Sequence, residues 1–185
     1  MIPEAFDQPP IEGSLLIASP SLQDGVFDRS IIFLYQHSLE SGAHGYILNR
    51  PTGEKVGEIL CSAEFQALRD LPIYYGGPVD SDKLSFCSFH SHIDGALDSQ
   101  ISISSEEACQ LLDNDKVIVR AYIGSSVWTA GQLENELEQT SWYIAPTIPD
   151  LLTMPQDATL WSNTLQALSP FHHLISLTPE NPFLN

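Results

Sequence analysis

Residues 117–139 read VIVRAYIGSSVWTAGQLENELEQ. The first six, Val117–Tyr122, are mostly β-branched or aromatic and predict a strand running into Gly124. A short polar loop follows, then Trp128, and Gly131 opens a helix predicted over Gln132–Gln139. The stretch is therefore a strand–loop–helix joint. Such joints can hold ligands, because the first amides of a helix point outward without partners.

Upstream of the joint, Ser104 and Glu107 form a capping box for a helix over Ser105–Leu112. Before it come predicted strands at Leu84–His90 and Gln100–Ile103, separated by a turn at Asp94-Gly95. Ile73–Tyr75 is a short strand ending in Gly76-Gly77-Pro78. Val56, Ile59, Leu60, Phe65 and Leu68 give Lys55–Leu68 helical spacing, as one helix or two short ones. Nearer the start, Gly13–Ser19, Ser30–Gln36 and Ala43–Leu48 read as strands, and Asn49-Arg50-Pro51 stops the third. Downstream, Trp142–Ala145 predicts a strand, Asp150–Thr153 an extended piece, and Asp157 the cap of a helix through Leu168. Strands in runs with a few helices between them argue for an α+β fold with a largely antiparallel sheet. The 185 residues form one predicted domain, with an extended arm at 1–12 and a loose tail at 176–185.

Seven Lys and Arg stand against 24 Asp and Glu, for a net charge of −17. Binding to nucleic-acid backbones rests on cations that neutralise phosphates, so direct nucleic-acid binding is disfavoured. An anionic membrane surface is excluded by the same sign. Cys61, Cys87 and Cys109 are widely spaced, with no CxxC, and read as free thiols of a reducing compartment. The start of the chain lacks the charged and apolar regions of a signal peptide, and no apolar run approaches ~20 residues. The expected location is cytoplasmic, with no membrane contact.

Each candidate site residue has a structural reading beside the functional one. Gly131, Gln132 and Glu134 present polar groups to a ligand or simply start a helix, where acidic side chains favour the dipole. Trp128 is a stacking platform or core. Arg29 and Arg50, two of four arginines, are expected to pair with carboxylates, Arg29 with Asp24 or Asp28. Alternatively they build an anion site with the Gly76 and Gly77 amides. Asn49 orders its turn. His90 and His92 share a strand face, and a metal would need a third ligand such as Asp94 or Asp98. His172-His173 is a weaker pair. His37 has no nucleophile elbow near it. The sequence therefore implies no metal and no cofactor.

Four blocks carry a family resemblance: GSLLIASPSLQDGVFDRSIIFLYQHSLESGAHGYILNRPT over residues 13–52; Tyr75-Gly76-Gly77-Pro78-Val79; Gly124, Trp128 and Gly131-Gln132-Leu133-Glu134 with Glu136; and Trp142 followed by Asp150-Leu151-Leu152 and Trp161. In order and spacing the chain resembles the YqgE/AlgH family of bacterial proteins over roughly residues 11–168. The resemblance implies a bifurcated, pseudo-barrel sheet and no established catalytic activity. Some members carry a transcriptional-regulator label that rests on gene expression and not on a DNA-binding motif. Members usually read G-Y-A-G-W-G before GQLE, where this chain has Gly124-Ser125-Ser126-Val127-Trp128-Thr129. If the replaced glycines needed positive φ, the loop here must differ.

The leading expectation is a non-catalytic binding or regulatory protein, acting through a protein partner or a small ligand. Its surface would combine Arg29, Asn49, Arg50, the Gly76–Pro78 turn and the Trp128–Glu134 joint. The alternative is a hydrolase-like enzyme with Arg29, His37, His90 and Glu134 around one pocket.

Overall fold

The computed structural model describes residues 11–92, 97–147, 149–156 and 159–168, without the side chains of Ser91 and Pro149. Most of the predicted arm, the Asp94-Gly95 turn, the Asp157 cap, His172-His173 and the tail lie outside the described residues.

Among the described residues nine strands are ordered β4-β5-β8-β3-β2-β1-β9, with β6 joined to β8 and β7 to β6. They are β1 Leu15–Ala18, β2 Ile31–Ser38, β3 Gly42–Ile47, β4 Pro51–Lys55, β5 Pro72–Tyr75, β6 Val79–Ser91, β7 Leu97–Ile103, β8 Val117–Trp128 and β9 Trp142–Ala145. Every pairing among the described residues is antiparallel except β5 with β8. The sheet curls into a half-barrel, and the fold is α+β. The helices are α1 Val56–Ile59, α2 Ser105–Leu111, α3 Gln132–Glu138 and α4 Thr159–Leu168, with 3-10 turns at Ala63–Leu68 and Pro149–Leu152.

β8 organises the sheet. Ala121–Ile123 lies between β5 and β6, and beyond Gly124 the strand pairs with β3 through Gly45↔Ser126 and Ala43↔Trp128. Gly76 sits where β5 gives way to β3. Its amide donates to the Ile123 carbonyl, and its own carbonyl accepts from the Ile47 amide and the Ser126 hydroxyl.

Three apolar clusters result. The inner face holds Leu15, Phe33, Tyr46, Phe89 and Tyr122, and α4 covers it with Trp161 and Leu165. Trp128, Leu133 and Trp142 join Ile32 and Leu34 beneath α3. Val56, Leu68, Ala108 and Ala121 make the third, under α1 and α2.

The structure departs from the sequence reading in three places. β8 continues through Ser125–Val127, predicted as a loop, because Gly124 bends the chain at φ 70° without ending the strand. Val127, β-branched, sits in ordinary strand backbone, so no positive φ is demanded there. Pro51 begins the edge strand β4, where a missing N–H costs nothing. Asp150–Thr153, predicted extended, falls on a 3-10 turn. Lys55–Leu68 takes the two-helix alternative, as α1 and a 3-10 helix, with Lys55 ending β4. The Ser104–Glu107 capping box is present: the Ser104 hydroxyl accepts from the Glu107 amide at 3.1 Å, and Glu107 Oε2 accepts from the Ser104 amide at 2.9 Å.

Candidate functional site

The predicted joint is a set of ties. Gly131 precedes α3 at φ 75° with open space around it. Gln132 Oε1 accepts from the Thr129 amide at 3.0 Å, and Gln132 Nε2 donates to Glu136 Oε1 at 3.0 Å. Glu136 Oε2 accepts from two indoles, Trp128 Nε1 and Trp142 Nε1, each at 2.8 Å. Phe27 stacks on Trp128 at 6.1 Å and meets Trp142 edge-on at 5.7 Å. Glu134 accepts from His37 Nε2 at 2.6 Å, tying α3 to β2. Trp128 is 3% exposed and belongs to the core beneath α3. Glu136 does more here than a charge run suggests. Glu136→Ala strands two indole donors, and an unfolding titration should show a loss of about 2–3 kcal/mol. Glu136→Gln keeps an acceptor for the indoles and should lose less.

Asn49 locks a second corner. Its Oδ1 accepts from the Ile31 amide at 2.9 Å, and its Nδ2 donates to the Arg29 carbonyl at 2.9 Å. Arg50 Nη2 donates to the Asp28 carbonyl at 2.7 Å and stands 3.6 Å from the Asp28 carboxylate. Asp24 Oδ1 accepts from the Val26 and Phe27 amides. The Arg29 guanidinium lies 5.1 Å over Trp161, and Arg29 itself sits at φ 55°. Asn49, Arg50 and Arg29 are therefore one corner. The Gly76 amide is spent on Ile123, and a Cβ on Gly77 would fall 2.4 Å from the Ser125 backbone. Pro78 is exposed, while the two glycines before it are packed against β8.

The hydrolase-like set does not converge. His90 is in register with Val117, at the start of β8. His37 reaches the other end of β8 through Ala43, whose partner is Trp128. Those positions are eleven residues apart, about 35 Å of extended strand. His90 instead stacks on His92 at 4.9 Å, and His92 Nε2 is 2.6 Å from Asp98. Among the described residues no three His, Cys, Asp or Glu form a metal-holding group.

A cleft of about 400 Å³ opens on the half-barrel's inner side, lined by Tyr35, His44, Tyr46, Val79, Asp80, Lys83, Ser85, Ser102, Gly124, Ser125 and Val127. Strand irregularities meet there. The β2–β3 register shifts between Leu34 and Gln36, around Tyr35. The β6–β8 register shifts between Val79 and Leu84, throwing out Asp80–Lys83, with Asp80 at φ 54°. The β6–β7 register shifts between Phe86 and Ser88, beside Ser102 at φ 58°. Bulges re-aim side chains, and strained residues cluster where a site is built. The floor is aromatic: Tyr35 to Tyr46 is 4.9 Å, and Tyr46 stacks on Tyr122 at 4.4 Å. Ser125 and Val127 line the cleft, so the alternation of β8 sends Ser126 and Trp128 to its other face. None of these residues was a candidate site residue in the sequence. The legible signal was the DSDK insertion at 80–83 between two strand-like runs.

The AlgH-like family (DUF179) matches residues 15–171. The chain belongs to the AlgH-like family. A UPF0301 protein of Parabacteroides distasonis is 31% identical over 187 residues, covering 95% of this chain and 92% of that protein. One from Chlorobium phaeobacteroides is 34% identical over 183 residues, covering 94% and 95%. Protein DIP2367 of Corynebacterium diphtheriae has the same fold in its crystal structure, at a TM-score of 0.72 and 23% identity, covering 92% of this chain and 94% of its own. The solution structure of AlgH from Pseudomonas aeruginosa aligns at 0.65 and 24%, covering 96% and 99%.

In this AlgH-like chain the buried acids of the inner face, Tyr46, Cys87 and Tyr122, hold their protons at physiological pH. Burial pushes the Cys87 thiol up to about 11 from 9.0, and the Tyr122 hydroxyl up to about 12 from 10.0. Burial also raises Tyr35 and Tyr46. The unfolded chain releases these protons first, so their contribution is full below pH about 9. It is lost as pH rises toward 12, at most about 1.4 kcal/mol per unit for each group. A stability–pH profile flat to pH about 9 and falling steeply beyond it is the expected result.

Proposed function

We propose that this protein is a non-catalytic binding protein whose small ligand enters the cleft between Tyr35, Ser125 and the Asp80–Lys83 bulge. Any effect on transcription is then indirect, through the ligand or a protein partner. The convergence of bulges and positive-φ residues from four strands on one cleft carries this reading. A volume of about 400 Å³ is within the range of small-molecule sites. Two other concavities fit a ligand less well. One is rimmed by the exposed charges Lys55, Glu58, Arg69 and Asp70, and the other is a shallow groove along β9. The net charge of −17 supports a role apart from nucleic acid.

The test is a fragment library titrated into isotope-labelled protein, with backbone amide shifts as readout. Saturable shifts are expected at Tyr35, His44, Ser125 and Val127. Val127→Trp should fill the cleft and abolish them while the melting temperature stays within a few degrees. Hits clustering elsewhere, or hits that Val127→Trp leaves unchanged, would overturn the reading.

A further inference from the structure

The cleft's own groups narrow the ligand class, an inference that rests on the reading just given. We infer that the cleft takes an organic cation with a flat apolar group, an amine-bearing aromatic, and turns away carboxylates and phosphates.

Four observations point this way. First, the floor is π-rich: Tyr35, half-buried, lies 4.9 Å from Tyr46, and His44 lies 6.1 Å from Tyr35. Ring faces carry negative charge density that attracts cations and offers a flat group a partner. Second, the lining offers an anion no unpaired ammonium. Lys83 Nζ donates to Asp80 Oδ2 at 2.9 Å, so the two formal charges of the lining cancel. His44 is the one imidazole in the lining. Third, Ser85, Ser102 and Ser125 add hydroxyls that accept from an ammonium. Fourth, the whole chain carries −17, which concentrates cations at its surface and repels anions. An anion entering the cleft finds one ammonium, already held by Asp80, within a field of the wrong sign.

Asp80 governs the discrimination. It sits at φ 54° in the four-residue Asp80–Lys83 bulge, and asparagine is among the residues that tolerate that region best. Asp80→Asn therefore removes the charge, frees Lys83 and leaves the backbone in place.

The experiment uses three probes of one shape and different charge: benzylamine, benzyl alcohol and benzoate. Each is titrated into the labelled full chain at pH 7 and low salt. Benzylamine should bind the cleft about three- to tenfold more tightly than benzyl alcohol. Benzoate should show no saturable shifts there. In Asp80→Asn, benzylamine should lose that advantage, benzoate should gain and benzyl alcohol should stay unchanged. Equal binding of all three at the cleft overturns the charge inference and leaves the site standing. So does an unchanged benzylamine preference in Asp80→Asn. Absence of shifts at the cleft with every probe overturns the site itself.

Discussion

Gly124→Ala is expected to cost at least about 4 kcal/mol and to leave little folded protein at 37 °C. Gly124 stands at φ 70°, and a Cβ there would meet the Gly77 carbonyl oxygen at 2.2 Å and the Val79 carbonyl at 3.1 Å. Both neighbours are backbone, so no rotamer change relieves the clash. Gly77 cannot retreat easily, because it lies against Ser125 and Ser126 and leads directly into β6. Lifting it off β8 breaks the Gly76 amide bond to Ile123 and the Ser126 hydroxyl bond to the Gly76 carbonyl. Gly131→Ala is the control. Gly131 has nearly the same φ, 75°, but nothing within 4 Å of the added carbon. It should lose only the left-handed penalty, about 1–2 kcal/mol. The difference between the two measures the steric cost of the chain crossing, and comparable losses would refute the argument. Val127→Trp, on the same strand, should be far milder because its side chain has a cleft to enter.

The same crossing explains what was legible in the sequence. Strand periods, the capping box and the run of strands placed most elements, because hydrophobic alternation and caps are local properties. The Gly76-Gly77 pair was visible as unusual, but its use was not. A nest of free amides and a close backbone crossing both demand glycine, and only the partner strand distinguishes them. Gly124 as strand end against strand bend is the same ambiguity. Gln132, Glu134 and Glu136 drew notice as a motif at a helix entrance. Their partners, Thr129, His37 and the two indoles, include residues distant in number that local spacing does not relate. The cleft was least legible, because a bulge is a mismatch between two strands and neither strand shows it alone. Tyr35 reads as one more aromatic in a β-prone run until His44 and Tyr46 are set beside it.

Arg120→Met is the other large effect expected, a loss of about 3–5 kcal/mol. Arg120 is 3% exposed within β8. Its Nη1 donates to the Leu48 carbonyl at 3.0 Å and its Nη2 to the Leu152 carbonyl at 2.8 Å. The guanidinium lies 4.4 Å over the Tyr74 ring. Among the described residues no carboxylate forms an ion pair with it. A buried charge held by neutral carbonyls does not win its place through Coulomb attraction to an opposite charge. What it supplies is a planar fork that reaches two chain ends at once: the end of β3 and the 3-10 turn before α4. Methionine matches the length and relieves the desolvation of the charge, which offsets part of the loss. It leaves two buried carbonyls without a donor, at about 1–3 kcal/mol each, and removes the cation from the Tyr74 face. Arg120→Lys should fall between, since a single ammonium does not span both carbonyls. At about 2–4 °C per kcal/mol for a chain of this size, Arg120→Met should lower the melting temperature by roughly 6–20 °C. A loss under about 1 kcal/mol would mean that α4 is held over the inner face by its apolar contacts alone, with the arginine incidental to the closure of the half-barrel.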